Sequence, residues 1–204
     1  MSRMTDAIMN AENVSEYSIL FNGNLTVEHA VIVWPNFSGG PTNANPAGGK
    51  QTFGLVLSED IAARLANDHW NVKVKEIKDE YIRGEKTRTV SFQEWASIYH
   101  DEFENSLIYT EIVVNGGGDN PPQIYKAGEY NGEKIMAPVP KEHWGKLDNS
   151  ALSEVTVTIH PWKHGRNMQN PDAKKGYLNT MIAKIEPITS DLGNTYSDYR
   201  IVSE

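Results

Sequence analysis

The chain has 204 residues, a hydrophobic content of 39%, a formal net charge of −8 and no cysteine. That length accommodates one decorated domain with a real core, and the missing cysteines exclude a disulfide framework, a thiolate metal site and a cysteine nucleophile. No apolar run approaches the roughly 18 residues of a membrane span, and the acidity excludes a uniformly basic nucleic-acid coat while still allowing a local basic groove, because a ligand responds to the field at its site.

In chain order, the start Met1-Ser2-Arg3-Met4-Thr5-Asp6 lacks the basic-then-apolar layout of a secretory signal, and the absence of cysteine fits a reducing cytoplasm. Residues 1–25 are polar and weakly periodic and read as an N-terminal arm. Val27 to Phe37 alternates and predicts one strand. Ser38 to Lys50 is rich in Gly, Pro and Asn and predicts a long loop. Phe53 to Leu57 predicts a strand, followed by Ser58 as an N-cap, Glu59 and Asp60 in a first helical turn, and Ile61, Ala62, Leu65 and Ala66 as the apolar face.

Trp70-Asn71-Val72-Lys73-Val74-Lys75 alternates again, with Trp70, Val72 and Val74 on one side and Asn71, Lys73 and Lys75 on the other. Residues 76–90 carry mixed charge and read as an exposed hairpin or loop. Ser91 to Asn105 predicts an amphipathic helix with Phe92, Trp95, Ile98, Tyr99 and Phe103 on its apolar face. Strands are expected at Leu107 to Val114, Gln123 to Lys126, Val155 to Ile159 and Gly176 to Glu186. The stretch from Asn115 to Pro122 breaks the chain, 128–150 reads as a Gly- and Pro-punctuated excursion, and the tail after Pro187 is polar. Short strands divided by turns, with two helices, indicate a mostly-β barrel or sandwich.

Catalytic chemistry finds no foothold. The glycines of Asn115-Gly116-Gly117-Gly118-Asp119 are not followed by the Lys-Ser/Thr of a phosphate-cradling loop. His160 and His164 would share a metal only on a helix, and Pro161 argues against one there. Glu94, Asp101, Glu102 and Glu104 suit the solvated side of a helix. No enzyme activity and no cofactor are therefore expected.

Binding chemistry is better represented, because single-strand binders combine cations that follow phosphates with aromatic planes on which bases stack. Three places interleave the two. The first is Trp34-Pro35-Asn36-Phe37, feeding a loop that ends in Lys50; the second is Lys73 and Lys75, continuing through Lys78, Arg83, Lys86 and Arg88. The third is Trp162-Lys163-His164-Gly165-Arg166, followed by Lys174-Lys175-Gly176-Tyr177. Trp34 and Trp70 also fit an ordinary core, and Trp70 is assigned there because it shares a face with Val72 and Val74. The expected contact set is Phe37, Lys50, Lys73, Lys75, Arg83, Arg88, Tyr125, Trp162, Lys163, Arg166, Lys175 and Tyr177. Phe37 and Trp162 are the expected stacking rings, with Lys163, Arg166 and Lys175 on the backbone.

These segments resemble the Enc34-like group of phage single-stranded DNA-binding proteins. The pieces that carry the resemblance are Val33-Trp34-Pro35-Asn36-Phe37-Ser38-Gly39, Phe53 to Leu57, Trp70-Asn71-Val72-Lys73, Pro121-Pro122-Gln123-Ile124-Tyr125, Val155 to Trp162, and Gly176 to Met181. The order and spacing agree from about residue 27 to 187, and the chain departs by its longer arm and by insertions near 78–106 and 128–150. The resemblance implies a five-stranded OB-type β-barrel over 26–188, decorated with one or two helices and long loops, with a polar tail at 189–204. It implies sequence-nonspecific binding of single-stranded DNA in phage replication or recombination, in the cytoplasm of the bacterial host. Phage or host replication and recombination proteins would be further partners; no membrane is implied and the oligomeric state is open. The alternatives are a virion structural or adaptor protein whose aromatics anchor an interface, and a small hydrolase or nuclease with scattered Asp and Glu.

Overall fold

The computed structural model describes residues 16–19, 23–43, 45–78, 87–103, 105–114, 121–163 and 172–187. Arg83, Arg166, most of the expected arm and the tail beyond 187 lie outside the described residues.

The architecture is mostly β, with few helices. Among the described residues eleven strands join in one sheet: β1 (Glu16–Ile19), β2 (Leu25–Glu28), β3 (Ile32–Asn36), β4 (Thr52–Val56), β5 (Val72–Ile77), β6 (Thr89–Ser91), β7 (Asn105–Val113), β8 (Gln123–Tyr130), β9 (Glu133–Pro138), β10 (Ser150–Lys163) and β11 (Lys174–Pro187). The hydrogen-bonded path runs β1-β2-β10-β11-β7-β4-β3, with β5 and β6 branching from β7, and β8 and β9 from β11. The expected five strands are thus eleven, and among the described residues the path is open, with β1 and β3 at its ends.

β7 is the hub because its two edges carry three partners. One edge pairs with β4 from Tyr109 to Val113. The other pairs with β5 from Asn105 to Thr110 and then, in parallel, with β11 at Ile112 and Val113. β11 continues beside β8 from Thr180 to Ala183. β7 and β8 thus pair in turn with the same edge of β11.

Inward-facing Phe37, Phe53, Leu55, Val72, Val74, Ile112, Ile124, Ile159 and Met181 are all fully buried. Burying each large apolar side chain contributes about 1.5–3 kcal/mol, which is what holds the sheet to its core. Helix α1 (Glu59–Asn67) caps this core with Ala62, Leu65 and Ala66, and Ser58 precedes it in extended conformation.

Four expectations change. The strand foreseen from Val27 to Phe37 is two, broken at His29, whose φ of 52° lies in the left-handed region. The sheet begins at β1, ahead of residue 26, so part of the supposed arm is structural. The helix at 91–105 is shorter: α2 (Phe92–Glu94) starts with the Ser91 hydroxyl accepting from Glu94 N–H, then the chain widens into a π-turn over Trp95–Tyr99. That wider turn buries Trp95 but rotates Ile98 into solvent, breaking the expected 3.6-residue face.

The fourth change concerns 128–150, where the expected Gly- and Pro-punctuated excursion holds regular structure. Asn131 and Gly132, with φ of 52° and 81°, make a two-residue turn between β8 and β9. A 3₁₀ segment (Lys141–Asn149) then buries Trp144 and Leu147 in the core, the indole donating to the Val139 carbonyl at 3.0 Å.

Candidate nucleic-acid interface

Alternation along the strands gathers cations and rings on one outward face. In β5, Val72 and Val74 turn inward, so Lys73 and Lys75 turn out. Across the ladder Lys73 lies opposite Tyr109, which also lies opposite Val56 of β4, and Glu111 lies opposite Gly54. Directly opposed residues in a ladder share a face.

The same face continues onto β11 and β10. Gly176 points inward, where a methyl group would lie 2.7 Å from Ile112 Cδ1 and 2.9 Å from Ile159 Cγ2 and Trp70 Cζ3. Its neighbours Lys175 and Tyr177 therefore point out. Trp162 stands opposite Lys175 and His160 opposite Tyr177, with the Trp162 and His160 rings 6.3 Å apart. Trp162 is 60% exposed.

Trp34 occupies the other end by an unusual backbone. The β3–β4 register slips between Val33 and Asn36, and Trp34 has φ of 49°. A non-glycine residue in that region carries strain of order 1–3 kcal/mol, and such strain gathers at functional positions. The bulge sets Trp34 beside Val33 over the outward side of Gly54. A methyl at Gly54 would lie 2.8 Å from Val33 Cγ2, 3.2 Å from Trp34 Cε3 and 3.4 Å from Tyr109 Cδ2. Only glycine leaves room for the indole to lie this close to the sheet. The ring meets Tyr109 edge-on at 4.9 Å, carries the Lys75 ammonium 4.9 Å from its centroid, and remains 39% exposed. Burial and the Glu111 charge push the Tyr109 hydroxyl pKa up, so this ring stays neutral.

The Pro35 to Gly39 motif proves to be a staple for this end. Asp148 of the 3₁₀ segment accepts from Phe37 N–H and, at 3.1 Å, from Ser38 N–H. Asn36 Nδ2 donates to the carbonyls of Gly40 and Lys50 at 3.1 and 3.2 Å, and the Gln51 amide donates to Phe37 O. A loop tied at both mouths holds the bulge in place and lowers the ordering cost of binding.

Phe37 is corrected by this geometry. Its ring is 0% exposed and packs 5.8 Å from Phe53, so it has no free face to offer a base. The pleat that exposes Trp34 turns Phe37 inward.

Arg88 and Lys163 are not brought to the face. Arg88 bonds Glu76 and Glu102 and lies over the rings of Tyr99 and Phe103 at 5.0 and 4.7 Å. Its hydrogen bonds hold the Glu76 carboxyl below its ordinary pKa, so the pair serves to latch the 92–103 segment. Lys163 points to the side opposite Trp162 and reaches Asp172. Tyr125 is half-buried on β8, its hydroxyl donating to Gln123 Oε1 at 2.8 Å. Lys50, Lys73, Lys75, Lys175, Tyr177 and Trp162 do come together on one face.

Tyr109 has no place in the sequence reading, and Trp34 stands in its first basic-aromatic segment but not in the expected contact set. Pro35 was the available signal for Trp34, since proline inside a strand marks an edge or a bulge. Tyr109 has no basic neighbour in sequence and meets Lys73 only through the β5–β7 ladder.

No curated protein sequence matches the chain. Among solved structures, the single-stranded DNA-binding protein from bacteriophage Enc34 in complex with ssDNA is similar over 87% of this chain and 96% of that one, at 10% identity and a TM-score of 0.44. A second structure of the single-stranded DNA-binding protein from bacteriophage Enc34 is similar over 93% of this chain and 97% of its own, at 11% identity and a TM-score of 0.40. A C-terminal truncation of it is similar over 86% and 94%, at 11% identity and a TM-score of 0.42. In sequence, residues 15–93 match the family described as "Putative phage ssDNA-binding domain". That stretch spans β1 to β6 and includes Trp34, Lys50, Lys73 and Lys75.

Proposed function

We propose that the chain binds single-stranded DNA without sequence preference along the outward face that runs from Trp34 to Trp162. Bases stack on Trp34, Tyr109, Tyr177 and Trp162, and Lys50, Lys73, Lys75 and Lys175 follow the phosphates. The observation that carries this reading is Trp34, an exposed indole held at a positive φ over a glycine, with a lysine on its ring. A buried ring would gain stability from its place; this one is held in a strained backbone for what it presents.

The sheet is read as an elaborated OB-type barrel, supported by the way β7 exchanges β5 for β11 along one edge. The role is protection and presentation of single-stranded phage DNA in replication or recombination, in the host cytoplasm, without catalysis or cofactor. The test is titration of oligo-dT against duplex of equal length at several salt concentrations. Preference for oligo-dT is expected, with a log–log salt slope of about −0.7 for each phosphate neutralised. A flat salt response, or no binding at low salt, overturns the reading.

One feature favours the adaptor alternative. The β8–β9 hairpin exposes Tyr130, Ile135 and Met136, and every residue of β9 is exposed. An apolar hairpin of this kind suits a protein contact. Under that alternative the oligo-dT titration shows no binding.

A further inference from the structure

Resting on the DNA-binding reading above, we propose that Glu111 is a built-in competitor for the DNA backbone, holding Lys50 and Lys175 until phosphates replace it. Lys50 Nζ lies 2.6 Å and Lys175 Nζ 3.7 Å from the same Glu111 Oε1. The two lysines come from different places, Lys50 from the end of the β3–β4 loop and Lys175 from β11. The carboxylate on β7 is the point where they meet.

Stability does not account for the arrangement. The side chains of Lys50, Lys175 and Glu111 are 44%, 30% and 35% exposed. Ion pairs that open to water contribute little to folding. What the carboxylate does change is the field at the surface, where a negative group amid the cations opposes an anionic ligand. A carboxylate and a phosphate offer the same chemistry to an ammonium group, an oxyanion that accepts its hydrogen bonds.

The face therefore holds two kinds of lysine. Lys73 and Lys75 make no ion pair with a carboxylate among the described residues, and Lys75 rests on Trp34. They are available to the first phosphates that arrive. Lys50 and Lys175 must be taken from Glu111, which is then left beside the bound strand and repels it. The consequence is an affinity below what four free lysines would supply, and a strand that is more readily released.

The experiment uses the full chain and fluorescence anisotropy with labelled oligo-dT, comparing wild type with Glu111→Gln, which keeps the side chain's shape. Tighter binding by roughly threefold to tenfold is expected from removing the two competing pairs. The salt slope is expected to steepen by about 0.7 for each additional phosphate that the released lysines neutralise. Glu111→Ala is expected to move affinity in the same direction, and thermal unfolding of both variants separates binding from folding. In a Lys50→Gln/Lys175→Gln background the increase from Glu111→Gln is expected to vanish. Wild-type binding with unchanged or weaker affinity in both Glu111 variants overturns the proposal, as does an increase that persists without the two lysines. A wild type that fails to bind at low salt overturns the DNA-binding reading itself, and this proposal with it.

Discussion

The two ends of the outward face are built in different ways. At one end Trp34 stands on a bulge with φ of 49°, over Gly54, with the flanking loop stapled by Asn36, Gln51 and Asp148. At the other, Trp162 and Lys175 project from β10 and β11, strands of 14 residues each, by pleat alternation alone. The first end is preorganised at a cost in backbone strain. The second needs no special geometry, and its indole is freer. A ring already fixed in its binding position loses less entropy when a base lands on it, so the Trp34 end should supply more of the affinity.

The sharpest way to test this division starts beside Trp34. Phe37→Ala is expected to lower folding stability by about 3–5 kcal/mol, since it empties a fully buried site, while the folded fraction keeps its affinity. Chemical denaturation and oligo-dT titration on the same preparation check both halves. Lost affinity without lost stability would return Phe37 to the contact set.

Reversing both charges beside the bulge, Lys73→Glu with Lys75→Glu, is expected to weaken binding by about 2–4 kcal/mol and to flatten the salt slope. The fold should persist, because Val72 and Val74 keep the core side of β5. Normal affinity in a protein with a normal melting temperature would show that the DNA lies elsewhere.

The smallest effects compare the two indoles directly. Trp34→Gly is expected to cost about 1–3 kcal/mol of binding, and because glycine accepts the positive φ, stability should hold or rise. Trp162→Ala is expected to cost about 1 kcal/mol or less, nearer the bottom of the stacking range. If Trp162→Ala proves the more damaging of the two, preorganisation is not what ranks the ends.

Much of this was legible in the chain. The alternation of Trp70 to Lys75 correctly set core against face, and Ser58 with its two following acids marked helix α1. Asn131-Gly132 is a hairpin turn signal in its own right and was legible, though the surrounding Gly and Pro drew the reading toward a loop. Periodicity leaves Trp34 open between core and face, and the Pro, Asn and Gly around Phe37 suggest an open edge, so neither announces the register slip between Val33 and Asn36. Strict alternation cannot foresee a bulge, and a single inserted residue reverses which neighbour is buried.

By itself, the sequence determined the β-rich class, the buried side of each regular strand and the presence of basic and aromatic groups, because those follow from local periodicity and side-chain chemistry. Only the tertiary structure decided which of these groups meet. Tyr109 reaches Lys73, and Glu111 reaches both Lys50 and Lys175, through pairings between segments 36 to 64 residues apart. Such registers are set by how a whole core packs and by where the backbone bulges, and no local pattern in the chain encodes them.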